Sequence, residues 1–283
     1  MANQDTRDAE REDLLATLHD QGDAHIQAGD KAGAIAAFRA ARTVDPDDPG
    51  GAVLRLAALG AEPPPEMAPR AYVERLFDQS AHAFDDHMCE ALGYHVPELM
   101  RAMLLRHAPG PYRRLIDLGC GTGLVAEAFE GLFDEAVGVD LSRGMLAKAA
   151  EKGRYVSLLV GDVAEVMAAW SRRRSERFDL AVAADVLIYL GDLAPFLGGL
   201  AAVVRPGGLA LVSTERLETG EQDAGAPEVT VRNSRFVHSD GYLARGLLTA
   251  GFEIVSMERT VLRLQNDTPI EGTLTLARRG GSG

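Results

Sequence analysis

Leu115-Ile116-Asp117-Leu118-Gly119-Cys120-Gly121-Thr122-Gly123-Leu124 decides the fold. The apolar run around Asp117 predicts a strand, and the chain from Leu124 onward predicts a helix. Between them Gly119, Gly121 and Gly123 remove side chains where the chain turns tightly and where a ligand must approach the main chain. The following helix offers unpaired N–H groups at the same place. Strand, glycine loop and helix in this order predict a loop that cradles a nucleotide-like cofactor.

The residues downstream extend that unit. Leu124 to Leu132 reads as a helix, and Glu135 to Val139 as a strand ending at Asp140, which completes βαβ. A carboxylate at the tip of a second strand accepts two hydrogen bonds from a ribose diol, so Asp140 is the expected ribose ligand. A third run, Tyr155 to Val160, ends at Gly161-Asp162-Val163, where a carboxylate and an adjacent amide suit the edge of an adenine. The blander reading is that Gly-Asp and Pro-Gly-Gly are ordinary turns and that an Asp at a strand end caps a helix. A dinucleotide fingerprint, G-x-G-x-x-G, does not fit, because Gly123 comes one position early.

On these residues the chain resembles the class I S-adenosylmethionine-dependent methyltransferases. Asp117-x-Gly119-x-Gly121-x-Gly123, Asp140 and Gly161-Asp162 stand in that family's order. Phe178-Asp-Leu-Ala-Val-Ala-Ala-Asp185 looks like its fourth strand, and Val204-Arg-Pro-Gly-Gly208 like the turn before its fifth. The resemblance runs from about Leu115 to the end. It implies an α/β fold, a Rossmann-like sheet of seven strands with the last antiparallel, and S-adenosyl-L-methionine as cofactor. The cofactor-binding set it implies is Asp117, Gly119, Cys120, Gly121, Gly123, Asp140, Leu141, Met145, Gly161, Asp162, Val163 and Ala184. The C-terminus agrees: Phe252 to Leu264 and Glu271 to Arg278, with a turn at Gln265 to Pro269, predict a hairpin.

Methyl transfer from a sulfonium is an in-line displacement governed largely by positioning, and a hydroxyl or acid acceptor must also lose a proton. The groups expected near the end of the fourth strand are Asp185, Tyr189, Glu215 and His238, although a helix cap for Asp185 and plain packing for Tyr189 are the more ordinary readings. Ser239 or Asp240 is the expected N-cap of a helix from Gly241 to Ala250 that stops at Gly251. Leu217 to Val237 exceeds ordinary loop length and reads as a substrate lid. Ala184-Asp-Val-Leu-Ile-Tyr189 looks like the small-molecule subgroup, and no Asn-Pro-Pro-Tyr follows the fourth strand. A small-molecule acceptor is therefore expected, methylated on O, N, C or S. The alternatives are a protein methyltransferase and a scaffold that retains the cofactor fold without catalysis.

Residues 1–61 are expected to be a helical appendage. Leu18, Gly22, Ala34, Phe38, Ala41 and Pro46 resemble a tetratricopeptide repeat, with His25 and Gln21 departing from its pattern. Gly51 to Leu59 adds a helix. One such unit cannot bury its own faces, so residues 15–59 either dock on the enzyme, the favoured reading, or receive a protein partner. Residues 62–70 form a proline-rich linker, 71–110 a helical cap, 111–279 the methyltransferase domain, and 280–283 a flexible tail. Within the cap, Tyr72, Leu76, Ser80, Phe84 and Met88 recur every fourth residue and predict one amphipathic helix. Phe77, Phe84 and His87 on it would line a lid, or simply pack. Pro97 to His107 predicts the next helix. The repeat, the cap and the cofactor motifs together resemble a bacterial group of predicted methyltransferases with an N-terminal repeat.

Length and charge agree with this organisation. The chain has 283 residues, 46% of them hydrophobic, enough for a catalytic domain plus an appendage. A net charge of −13 without a basic stripe argues against nucleic acid, with Arg172-Arg-Arg174 read as a solvated end. No apolar run approaches the ~20 residues of a membrane span, and the polar N-terminus is unlike a signal peptide, so a cytoplasmic protein off the membrane is expected. Cys89 and Cys120 are too few for a disulfide framework, and no metal-ligand spacing is present.

Overall fold

The computed structural model describes residues 2–172, 177–217, 229–265 and 267–281. Its centre is a seven-stranded sheet in the order β3-β2-β1-β4-β5-β9-β8. β1 (Tyr112–Leu118), β2 (Phe133–Asp140), β3 (Ser157–Val160), β4 (Phe178–Ala183) and β5 (Val204–Glu215) run parallel. β9 (Thr268–Arg279) is antiparallel to both β5 and β8 (Phe252–Gln265). The expected Rossmann-like sheet with an antiparallel last strand is the one observed. β6 (Val229–Arg232) and β7 (Arg235–His238) pair as a separate hairpin.

Both faces of the central strands are buried because their apolar residues alternate between two cores. On one face Ile116, Leu118, Val137, Val139 and Ala181 meet Val163 and Met167 of α9 (Val163–Ser171). The same core takes Phe196 and Leu200 of α10 (Ala194–Val203), and Leu243 and Leu247 of α11 (Asp240–Thr249). On the other, Leu115, Ala136, Leu180, Val182 and Leu211 meet Val96, Met100, Met103 and Leu104 of α6 (Val96–His107) and Val125 of α7 (Leu124–Ala128). The strand order reverses between β1 and β4, and residues at or just past the C-terminal tips of β1, β2 and β4 border a common crevice.

Before the sheet, α1 (Ala2–Gln27) and α2 (Lys31–Val44) form a helical hairpin, followed by α3 (Ala52–Ala58). The Phe38 ring lies where a Cβ on Gly22 would stand, 2.5 Å away, and is fully buried with Leu15, Ala34, Ala41 and Leu56. This cluster does not stand alone: Leu54 and Ala57 on α3 pack with Val231 and Phe236 of the β6–β7 hairpin and Val73 of α4 (Arg70–Ser80). The linker is also bound. Glu62 pairs with Arg42, Ala68 N–H donates to Tyr189 O at 2.8 Å, and Glu66 O accepts from Gly191 and Asp192, both at 2.8 Å. Truncating Phe38 to Ala removes the plug of this cluster and should cost about 3 to 5 kcal/mol locally. Hydrogen exchange should then show α1 and α2 opening ahead of the sheet; uniform protection across the chain would contradict the place of Phe38 at the centre of this cluster.

Several expected boundaries shift. The helix expected from Tyr72 to Met88 is not continuous: α4 stops at Ser80, a turn follows, and a short α5 (Phe84–Asp86) leads into a π-helical turn, His87–Ala91. Asp78 before the break reaches Ser142 and Gly144, and Asp85 after it reaches Thr122 and Lys152. The helix expected to reach Leu132 ends at Ala128, where the chain turns back through Gly131 at φ 81°. The turn expected at Val204 to Gly208 is instead the start of β5, with a register shift opposite Phe178–Leu180. Ser239 is the N-cap of α11, its side chain accepting from Tyr242 N–H. Of the segment expected to be a lid, 218–228 fall outside the described residues, as do 173 and 174 of the arginine run and 282–283 of the tail. No described helix is long and apolar enough to cross a membrane.

Candidate active site

The glycine loop is shaped by β2. Gly119 and Cys120 N–H donate to Val139 O at 2.8 and 2.9 Å, which turns β1 sharply over its neighbour. Gly119 has φ 71°, and a Cβ there would meet Val186 Cγ2 at 2.3 Å, so two constraints exclude a side chain. Gly121 differs: nothing stands within 4 Å of where its Cβ would be, which leaves the main chain bare towards the crevice.

Asp140 ties this loop to the next helix. Its carboxylate accepts from Gly121 N–H at 2.8 Å and from Ser142 N–H at 2.9 Å, one bond on each oxygen. A carboxylate oxygen has two lone pairs, so each can take a further donor. Burial pushes the Asp140 carboxyl up, partly countered by those amides. Asp162 caps α9, with Oδ1 accepting from Ala164 and Glu165 N–H at 2.8 and 3.1 Å. The capping reading and a place at the crevice are thus both realised in one residue.

Asp117 is fully buried behind the loop. Its Oδ2 accepts from the Tyr155 hydroxyl at 2.6 Å, while Oδ1 has no partner among the described residues. Burial pushes the carboxyl up to about 7. A folded-state value above the unfolded one means the folded chain holds this proton more tightly. The stabilisation is full below about pH 4 and lost as pH rises to about 7. Asp117→Asn should flatten that part of the stability curve, which urea midpoints measured from acid to neutral pH would show; curves parallel to those of the parent would contradict it.

The crevice is a cavity of about 350 Å³. Gly119, Cys120, Gly121, Asp140, Leu141, Asp162, Val163 and Ala184 line it, out of the residues expected to bind cofactor. Asp117, Gly123, Met145 and Gly161 lie outside the lining: Asp117 and Met145 are buried beneath it, and Gly123 packs on Tyr155. Asp185 and Tyr189 line it, as do Phe77, Phe84 and His87 from the cap. Phe77 meets Tyr189 and Phe84 edge-on, with ring centroids 5.6 and 6.0 Å apart. Burial pushes the Tyr189 hydroxyl up to about 12.

Glu215 and His238, also singled out by sequence, are not in the lining. His238 is buried, its Nε2 lies 2.9 Å from Leu190 O, and burial lowers its pKa to about 4. Glu215 faces Arg263, which binds it through Nη2 and binds Asp185 Oδ2 through Nη1 at 2.9 Å. Asp185 also holds φ 56° and receives Ser213. Sequence reasoning missed Arg263 and Arg235, both in the lining. The available signal was an arginine between Leu262 and Leu264 in an apolar strand; Arg235 lay inside the expected lid without being singled out.

The family described as "Methyltransferase domain" matches residues 116–212. A ubiquinone biosynthesis O-methyltransferase of Bradyrhizobium sp. (strain ORS 278) is 41% identical over 104 residues, 36% of this chain and 39% of that protein. One of Rhodopseudomonas palustris (strain BisA53) is 38% identical over 104 residues, with the same coverage. The match thus spans about 39% of the length of these relatives. Among solved structures, the N-methyltransferase NodS of Bradyrhizobium japonicum WM9 in complex with S-adenosyl-L-homocysteine has a TM-score of 0.54 at 17% identity, covering 73% of this chain and 98% of that one. An S-adenosylmethionine-dependent methyltransferase of Clostridium acetobutylicum has a TM-score of 0.53 at 16% identity, covering 73% and 100%. These likenesses are to the sheet and its helices. The segment that bears the glycine loop is thus the one that matches the methyltransferase domain family, and the solved structures share its fold.

Proposed function

We propose that the chain transfers a methyl group from S-adenosylmethionine to a small-molecule acceptor enclosed between the glycine loop and the cap. The observation that carries this reading is the cavity itself: one wall is Gly119–Gly121, Asp140 and Asp162, the other Phe77, Phe84 and Tyr189. Its volume is in the ordinary range for a small-molecule site.

The residues fit the cofactor. Bare main chain at Gly121 admits close approach, the spare lone pairs of Asp140 suit a ribose diol, and Asp162 with Val163 suits an adenine edge. When bound, S-adenosylmethionine supplies an electrophilic methyl carbon, whose bond pair is left on sulfur as the acceptor's lone pair forms the new bond. The chain's own part is to position the acceptor and exclude water. Asp78 and Asp85 hold the cap against the helix after β2 and against the glycine loop, through Ser142, Gly144, Thr122 and Lys152. Asp185, its carboxylate fixed by Arg263 and Ser213, is suited to orienting the acceptor.

Similarity to O-methyltransferases over part of the chain favours oxygen as the methylated atom. The test is incubation with methyl-deuterated S-adenosylmethionine and a panel of phenols, acids and amines, read by mass spectrometry. A labelled small molecule is expected. Label found only on added proteins would favour recruitment by the N-terminal helices, and no transfer to any acceptor despite cofactor binding would favour a scaffold.

A further inference from the structure

Three guanidinium groups line the cavity, and they are committed differently: Arg70 is exposed at its edge and stands 3.6 Å from Glu165. Arg263 is almost wholly buried and spends both its terminal nitrogens on Asp185 and Glu215. Arg235, at the start of β7, lies only partly buried. Its Nη1 donates to Gln265 Oε1 at 3.1 Å, it hydrogen-bonds the Tyr189 hydroxyl, and its Nε stays 3.9 Å from Glu215, beyond hydrogen-bond reach. The Glu215 oxygen it faces is the one already bound by Arg263. Arg235 therefore brings into the cavity a cation whose one ion pair among the described residues is the long one to Glu215, with no carboxylate among them in hydrogen-bond contact.

We propose that Arg235 receives an anionic group on the acceptor, which makes the acceptor an organic acid with an apolar, ring-bearing body. This rests on the methyltransferase reading above. The carboxylate lies against Arg235, and the body against Phe77, Phe84 and Tyr189, whose edge-to-face arrangement offers ring faces. A guanidinium takes a carboxylate through parallel N–H donors, and this pairing strengthens where water is excluded. The hairpin that presents Arg235 is held from behind by Phe236, which is fully buried against α3 and α4. Arg235 is thus a specificity residue on a rigid support, while the cofactor wall lies on the other strands.

The test uses the full chain and two probes of the same shape, benzoate and benzamide, measured by ligand-observed NMR and calorimetry with and without S-adenosylhomocysteine. Benzoate is expected to bind at least about tenfold more tightly than benzamide. Arg235→Gln should erase that preference and leave S-adenosylhomocysteine affinity within about twofold, and Arg235→Lys should retain part of it. Equal binding of the two probes, no detectable benzoate binding, or a preference that survives in a folded R235Q protein would overturn the proposal. Failure of S-adenosylhomocysteine to bind would count against the methyltransferase reading alone, because the two probes are also compared without it.

Discussion

Replacing Asp140 with Ala is expected to weaken S-adenosylhomocysteine binding roughly 10- to 100-fold, at about 1.5 to 3 kcal/mol for a hydrogen bond to a charged group. Two losses combine. The ribose loses its carboxylate acceptor, and Gly121 and Ser142 lose the bonds that hold the loop and the following helix in register. Asp140→Asn separates them, because it keeps the shape and one acceptor oxygen while removing the charge, and should fall between the parent and Ala. The sheet should survive, since Asp140 is at the tip of β2 and Val137 and Val139 still fill its core. Calorimetry on folded variants measures this, and unchanged affinity in Asp140→Ala would remove the residue from the site.

The largest loss of stability is expected from Arg263→Ala. It strands Asp185 and Glu215 in the interior, and breaking a buried pair from one side costs about 3 to 5 kcal/mol. At ~2 to 4 °C per kcal/mol for a domain of this size, the melting temperature should fall by roughly 6 to 20 °C. The penalty belongs to the unpaired charges, not to the lost packing. D185N/E215Q/R263M, which neutralises all three positions, should therefore recover most of the loss. If the triple variant melts as low as Arg263→Ala, the network is not what destabilises the single variant.

Much of this was legible in the chain because it is local. The strand β1, the glycine loop and the place of Asp140 at the tip of β2 are read from neighbouring residues. The C-terminal hairpin announces itself by two runs around a turn. The cap was misread for a definite reason: Phe84 and Met88 continue the fourfold spacing of α4 across the turn at 81–83, and spacing alone cannot register that Asp78 and Asp85 hold different partners. The arginines escaped notice because their partners are remote in sequence, 78 and 48 residues from Arg263 for Asp185 and Glu215, and 30 from Arg235 for Gln265. His238, expected near the end of the fourth strand, is not in the lining: its Nε2 lies 2.9 Å from Leu190 O and its ring stacks on Tyr242.

The most direct measurement is a calorimetric titration of the full chain with S-adenosylhomocysteine. One molecule per chain at micromolar affinity, about −8 kcal/mol, is predicted, with binding sharply weakened in Asp140→Ala and retained in Arg235→Gln. No heat at millimolar ligand from a folded chain, or binding indifferent to Asp140, would contradict the assignment of this crevice to the cofactor.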